Sequence, residues 1–358
     1  MATDPSTPAA PGPRLTPGLP DQWYIACRSS ALRERPVATA IDGVPLALFR
    51  AAGGRAAALE DRCPHRNAPL SAGCVDRGEL ECGYHGWRFG ADGACLAVPG
   101  LTARPDARAT RATGFACVEQ DGYVWVYSTA GAEPRRGPPR FPHLGEAGYT
   151  TARRDVEVRA SLLAALENTL DVPHTAFLHG GLFRTRGAAH EIQVTVRRWS
   201  DRCEAEFEGE PRPRGLAGRL LAPGGGVVAH VDRFLLPSIA QVEYRLGPAS
   251  HLVVTTAMTP VDAARTRLFA AVTFRLALPG WLVRPVVTPV ARRILAQDAR
   301  MLALQSANMA RFGGERFAST ELDVLGPQIA RLLRQASRGE VPAPQEPPEH
   351  EHRVRMRL

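Results

Sequence analysis

Residues 63–89 read CPHRNAPLSAGCVDRGELECGYHGWRF, and this stretch decides how the rest of the chain is read. Cys63 and His65 have one residue between them; after an interval of sixteen residues come Cys82 and His85. Two thiolates and two imidazoles suit a soft transition metal or a cluster. A single zinc ion is usually wrapped by paired ligands two to four residues apart, and the gap between Cys63 and His65 is too short for that. Alternate side chains of an extended turn diverge toward different atoms. Two such loops, each giving one Cys and one His, suit a two-iron cluster with the cysteines on one iron and the histidines on the other. Gly83 and Gly86 let the second loop approach closely. Of the seven cysteines, four (Cys63, Cys74, Cys82 and Cys95) fall in or just beyond this stretch, and Cys27, Cys117 and Cys203 lie elsewhere. An odd count without a secretory signal argues against a disulfide framework. Cys74 reads as a packed thiol, not a ligand.

Outward from the motif, short β-type runs alternate with glycine turns. VATAIDGVPLALFR (37–50) gives strand, Asp42-Gly43 turn, strand, and GFACVEQDGYVWVY (114–127) repeats the pattern around Asp121-Gly122. This predicts an all-β domain over residues 21–130. Residues 131–150, rich in Gly and Pro, read as a linker. Beyond them, 161–171 is helix-like. Alternating runs at 190–198, 203–208, 228–236, 239–246, 251–258 and 267–277 predict an antiparallel sheet, and amphipathic spacing predicts helices over 289–312 and 322–336. The class is α+β, with a second domain over 151–338. Residues 1–20 lack a basic segment followed by an apolar one and are expected to be a disordered leader. The Pro- and Glu-rich tail, 339–358, is expected to be disordered as well.

A second constellation lies in ENTLDVPHTAFLH (167–179). His174 and His179 are five apart, about 140° apart on an ideal helix, so they share no helical face. Pro173 disfavours helical geometry at Val172 and lacks an N–H, which supplies the break that lets both reach one ion. Two histidines and a carboxylate form a facial triad that leaves one side of an iron open. Asp298, in RRILAQDARMLALQSANM, aligns at helical spacing with Ile294, Met301, Leu302 and Gln305. A carboxylate on such a face is costly unless paired or metal-bound; a salt bridge to Arg292 or Arg300 is the competing reading.

Together these motifs resemble the Rieske-type non-heme iron oxygenases, over nearly the whole span from Trp23 to Leu333. The resemblance implies an N-terminal [2Fe–2S] domain with Cys63, His65, Cys82 and His85 as ligands. It also implies a helix-grip (Bet v1-like) catalytic domain with Fe(II) on His174, His179 and Asp298. Asp171 matches the family's bridging carboxylate, which joins an iron-ligand histidine (here His174) to a cluster histidine (here His85) of the neighbouring subunit. Respiratory Rieske proteins carry two extra cysteines; the matching positions here are Ala68 and Tyr84, as in oxygenases. WYIACRSSAL, ALEDRCPHRNAPL and GYHGWRF are most similar to the homotrimeric single-subunit branch that includes pheophorbide a oxygenase, vanillate demethylase and steroid hydroxylase-like members. The implied reaction is hydroxylation, demethylation or desaturation with O2 and two electrons. The implied substrate is hydrophobic: polycyclic, steroid-like or aromatic.

The chain has no G-x-G-x-x-G fingerprint after a strand and no plant-type ferredoxin cysteine run, so electrons are expected from a separate NAD(P)H-dependent reductase, directly or through a ferredoxin. The net charge is +8, and every basic residue is arginine. No basic cluster is interleaved with aromatics, which argues against a nucleic-acid partner. No apolar run approaches the ~18 residues needed to span a bilayer, and the cytoplasm is the expected compartment. The stretches AFLHGGLF (176–183), VDRFLLP (231–237) and LPGWLVRPVV (278–287) are candidates for pocket lining or core. Two other function classes stand against the oxygenase. A cluster-only electron carrier or redox sensor has no use for the second constellation, and a zinc-bound scaffold would be colourless.

Overall fold

A computed structural model of the chain describes residues 19–103, 105–106, 108–179, 190–210, 228–247, 250–276, 278–340 and 346–357. The leader expected over residues 1–20 lies almost wholly outside them.

The N-terminal part is built from short strands: β1 (Trp23–Arg28), β2 (Val37–Ile41), β3 (Val44–Arg50), β4 (Ala56–Glu60), β5 (Cys74–Asp76), β6 (Glu79–Glu81), β7 (Arg88–Phe89), β8 (Cys95–Ala97), β9 (Gly114–Phe115), β10 (Cys117–Gln120) and β11 (Tyr123–Tyr127). They form three small sheets, ordered β1-β11-β10, β2-β3-β4-β9 and β5-β6-β7-β8. The Asp-Gly turns work as expected: Asp42 and Gly43 both adopt positive φ, as do Asp121 and Gly122. The residues between β11 and Tyr149 are a packed strap. Phe141 is buried, and the Arg136 carbonyl accepts a hydrogen bond from Trp23 Nε1 at 2.7 Å.

The C-terminal part is one antiparallel sheet of eight strands, β12 (Thr150–Val158), β13 (Glu191–Arg198), β14 (Arg202–Glu208), β15 (Val228–Leu235), β16 (Ile239–Leu246), β17 (His251–Asp262), β18 (Arg265–Arg275) and β19 (His350–Arg357), in the order β12-β18-β17-β16-β15-β14-β13-β19. Among the described residues, four helices accompany it: α1 (Leu162–Leu170), α2 (Thr175–Leu178), α3 (Gly280–Arg311) and α4 (Gly326–Ser337). Alternation places two layers against opposite sheet faces. One face packs with α1, α4 and part of α3 in the main core, around Leu166, Phe207, Phe234 and Leu333. The other face receives the N-terminal domain: Ile239, Ala257, Phe269 and Ala271 pack on Trp23, Ile25, Tyr123 and Trp125. Thr259 Oγ1 donates to the Ile25 carbonyl across this join at 2.7 Å.

Three expectations need correction. The tail is not disordered throughout: residues 350–357 form β19, paired with β13 along its whole length. His352, Val354 and Met356 point inward between charged neighbours. The charges of an exposed edge strand hid the alternation. The helix expected from 289 begins at Gly280, running through Pro285 and Pro289. Cys74 is exposed, not packed.

Candidate active site

The two cysteine loops are built alike. Cys63 N–H donates to the Ala68 carbonyl at 2.8 Å, and the Cys63 carbonyl accepts from Asn67 at 2.9 Å; Cys82 pairs in the same way with Trp87 (2.8 Å) and Gly86 (2.9 Å). The fourth residue after each Cys takes positive φ, Asn67 at 59° and Gly86 at 68°, a region that Asn and Gly tolerate best. Gly73 locks the loops together: a Cβ there would meet the Glu81 carbonyl oxygen at 1.9 Å. Both cysteines are buried. Burial pushes the Cys63 thiol up to about 11, and the neighbouring Cys82 thiol adds to the rise. The His65 and His85 rings pair on the outer side, centroids 4.5 Å apart, with His65 stacked on Trp87 at 4.7 Å. Burial, then the adjacent His85 and Arg66, hold the His65 imidazole below its usual value, the direction that suits a metal ligand.

The second constellation gathers on three elements. Helix α1 starts at the Ser161 cap, whose Oγ accepts from Ala164 N–H at 3.3 Å, and ends at Asp171 in extended geometry. Pro173 follows, and the short α2 carries the chain from His174 to His179. Helix α3 brings Asp298. His174 Nε2 and His179 Nε2 lie 3.2 Å apart; Asp298 Oδ1 is 3.1 Å from the latter and 3.7 Å from the former. These are the described residues whose potential ligand atoms converge on one ion-sized point. Cys63, His65, Cys82 and His85 do not converge so tightly, as expected if their two pairs belong to two different irons and not to one zinc.

The comparisons with known proteins match both parts of the chain. Residues 22–115 match the Rieske [2Fe-2S] domain, and residues 158–338 match the vanillate O-demethylase oxygenase C-terminal domain, half of the chain by itself. The chain belongs to the Rieske non-heme iron oxygenases. Their members carry the [2Fe–2S] cluster and a mononuclear iron. The vanillate O-demethylase oxygenase subunit of Pseudomonas sp. (strain HR199 / DSM 7063) is 26% identical over 345 residues, covering 87% of this chain and 92% of that one. Chloroplastic chlorophyllide a oxygenase of Chlamydomonas reinhardtii is 36% identical over 169 residues, but the match spans 46% of this chain and only 25% of that relative. The crystal structure of dicamba monooxygenase bound to 3,6-dichlorosalicylic acid superposes with a TM-score of 0.74 at 24% identity, covering 89% of this chain and 98% of that one.

The donor set of this oxygenase fits a resident iron. Bonds of about 2.1 Å at right angles place donor atoms about 3.0 Å apart, close to the distances among His174, His179 and Asp298. Asp298 Oδ1 is buried and makes no hydrogen bond although a ring nitrogen is 3.1 Å away. The two atoms point at a common place, not at each other. His179 Nδ1 donates to Gln297 Oε1 at 3.0 Å, which fixes the tautomer and leaves Nε2 to coordinate. Sequence reading missed Gln297; nothing in its spacing distinguishes it from other polar helix residues. His174 Nδ1 lies 3.3 Å from Asp171 Oδ2, within ion-pair range but misaligned for a hydrogen bond. Burial lowers the basicity of His174, but Asp171 and Asp298 outweigh it and lift the imidazole to about 9: the site is negative and favours a cation.

A cavity of about 240 Å3 opens beside the triad. Its roof is α3, through Ala291, Ile294, Leu295 and Asp298. Its floor follows the sheet register, with Asp232, Val242, Val254 and Val272 in one row and His230, Tyr244 and Leu252 in the next. Of the three apolar stretches marked in the sequence, 231–237 reaches the cavity only through Asp232. Within 278–287, Trp281 and Leu282 are exposed, Phe177 is exposed too, and residues 180–183 lie outside the described ones. On the other side of Asp171 is an outer cleft of about 420 Å3, lined by Glu167, Leu302, Arg316, Phe317 and Asp323. Asp171 lines both spaces.

Proposed function

We propose that this chain is the terminal oxygenase component of a system that oxidises a hydrophobic small molecule, aromatic or polycyclic, by hydroxylation, demethylation or desaturation. Cys63 and Cys82 would hold one cluster iron, His65 and His85 the other, and His174, His179 and Asp298 the mononuclear Fe(II). When bound, that iron supplies dioxygen activation. The protein's own part is positional. Gln297 fixes the His179 ring, the cavity wall of Val242, Leu252, Val254 and Leu268 excludes water, and the open side of the triad faces the space a substrate would fill. The observation that carries this reading is that one convergence of three donors borders an apolar cavity.

Asp171 is proposed to connect His174 to His85 of a neighbouring subunit in a homotrimer. Two features support this. The chain's own Rieske domain packs on the sheet face opposite the cavity, and Asp171 is reachable from the outer cleft. Electrons would come from a separate NAD(P)H-dependent reductase, directly or through a ferredoxin. Free cysteines suit the reducing cytoplasm. Among the described residues, no helix is long and apolar enough to cross a membrane.

The test is iron stoichiometry with EPR. The wild-type chain should hold three irons and show a Rieske signal on reduction. Asp298→Ala should hold two, keep the signal and form no product. Product formation by Asp298→Ala would refute Asp298 as an iron ligand, and two irons with no product in the wild type would refute the enzyme and favour a cluster-only carrier.

A further inference from the structure

Strand β15 turns Val228, His230, Asp232 and Phe234 toward the interior. Two ionisable side chains thus sit on an apolar face, 1% exposed each. His230 is enclosed completely. Its Nδ1 meets Glu210 Oε2 at 2.6 Å and its Nε2 meets Asp232 Oδ1 at 2.9 Å. Phe207 and Tyr244 stack on its two faces, at 4.5 and 4.0 Å. The carboxylates outweigh burial and keep the ring protonated, near 9. Both ring nitrogens therefore donate inward, and none is left to donate to a ligand. Two carboxylates around one imidazolium carry a formal charge of −1. The fold gains little from such a group, since buried ion clusters are often no more stable than apolar replacements. Yet His230 and Asp232 line the cavity beside the iron triad, and no arginine lines it among the described residues. The chain has no lysine.

We propose that Asp232, held in place by the Glu210–His230 pair, is a substrate-positioning residue that selects compact apolar molecules bearing a hydrogen-bond donor, a hydroxyl or an ammonium group, and rejects carboxylates. This rests on the oxygenase reading of the cavity. An ionised carboxylate only accepts hydrogen bonds, so its partner must donate. A carboxylate ligand beside Asp232 would meet like charge in a low-dielectric space, where the His230 ring is already held by its own two carboxylates and no arginine faces the cavity among the described residues. A cavity of about 240 Å3 exceeds the roughly 150 Å3 that admits benzene, room for one or two rings.

The experiment uses the cluster- and iron-loaded full chain under anaerobic calorimetry with three probes on one skeleton: 2-naphthol, 2-naphthylmethylammonium and 2-naphthoate. The first two should bind at least about ten-fold more tightly than the third, or 1.4 kcal/mol. Asp232→Asn keeps shape and removes charge, and should shrink that ratio below about three-fold. Naphthoate binding as tightly as the others, no binding of the donor probes, or an undiminished ratio in Asp232→Asn would each overturn the proposal. Binding is read without turnover, and the wild-type panel judges the idea even if the variant folds poorly. Iron counts of three with no head-group preference would sink this inference and spare the oxygenase; a missing third iron would sink the oxygenase, whatever the preference.

Discussion

His174 Nε2 faces His179 Nε2 across 3.2 Å, and Asp298 Oδ1 closes the triangle from a distant helix. Without an ion, two ring nitrogens and a carboxylate oxygen share one small space. Filling it with Fe(II), or with redox-inert Co(II), should raise the melting temperature of the cluster-loaded protein. At a hundred-fold excess over the dissociation constant the gain is about 2.7 kcal/mol. His179→Ala should abolish the metal-dependent rise while leaving the visible absorbance of the cluster unchanged. A rise of equal size in His179→Ala would show that the metal binds elsewhere.

Asp171 accepts the His174 backbone N–H at 3.2 Å as well as approaching its ring. Asn preserves the shape and removes the charge. Asp171→Asn should load all three irons yet turn over about 10- to 100-fold more slowly, the usual effect of losing a carboxylate behind a ligand. Full turnover, checked by product formed per reductant consumed, would exclude a bridging role.

Glu167, one turn before Asp171, is pushed up to about 7 by burial, then by Asp323, Glu315 and Asp171. Its folded value lies above the unfolded one, so its favourable contribution is full below about pH 4.5 and is lost as pH rises through 7. Glu167→Gln should match the wild type near pH 4.5 and exceed it at pH 8. After discounting for solvent screening, the gain is about 2 kcal/mol. Urea unfolding at both pH values measures it, and equal stabilities at pH 8 would contradict the assignment.

Strand β19 covers β13, pairing Met356 with Ile192 and Val354 with Val194. Glu346, just before it, accepts from Trp199 Nε1 at 2.8 Å. Deleting residues 346–358 should cost about 3 kcal/mol or more from buried Met356 and the lost ladder. It should also bare an edge prone to association. Calorimetry and light scattering would report a melting temperature lower by about 6–10 °C and concentration-dependent aggregation. An unchanged melting point would make the strand dispensable.

Much of this was legible from local rules. The cysteine–histidine loops announce their chemistry through spacing because each loop is a short hydrogen-bonded turn that its own residues shape. Pro173 announces the break between α1 and α2 for the same reason. Strands 239–246 and 203–208 follow from alternation, since each has one face in the core. Asp298 stood out because a carboxylate on an apolar helical face calls for a partner, but that rule alone left a salt bridge to Arg292 or Arg300 equally open. Gln297, beside it, carried no such signal; its role exists only because α3 packs against the α2 histidine.

By itself, the chain determined the two cysteine–histidine loops, the all-β and sheet-plus-helix halves and the turn that brings His174 and His179 to one side. These are short-range matters of backbone restriction and side-chain chemistry. Only the tertiary structure decided that Asp298 meets those histidines, that β19 closes the sheet edge, and that His230 and Asp232 share a cavity with the metal triad. Each of these depends on strand register and helix packing across long stretches of chain. A one-residue slip in β15 would turn the same histidine and aspartate away from the cavity, to the opposite face of the sheet.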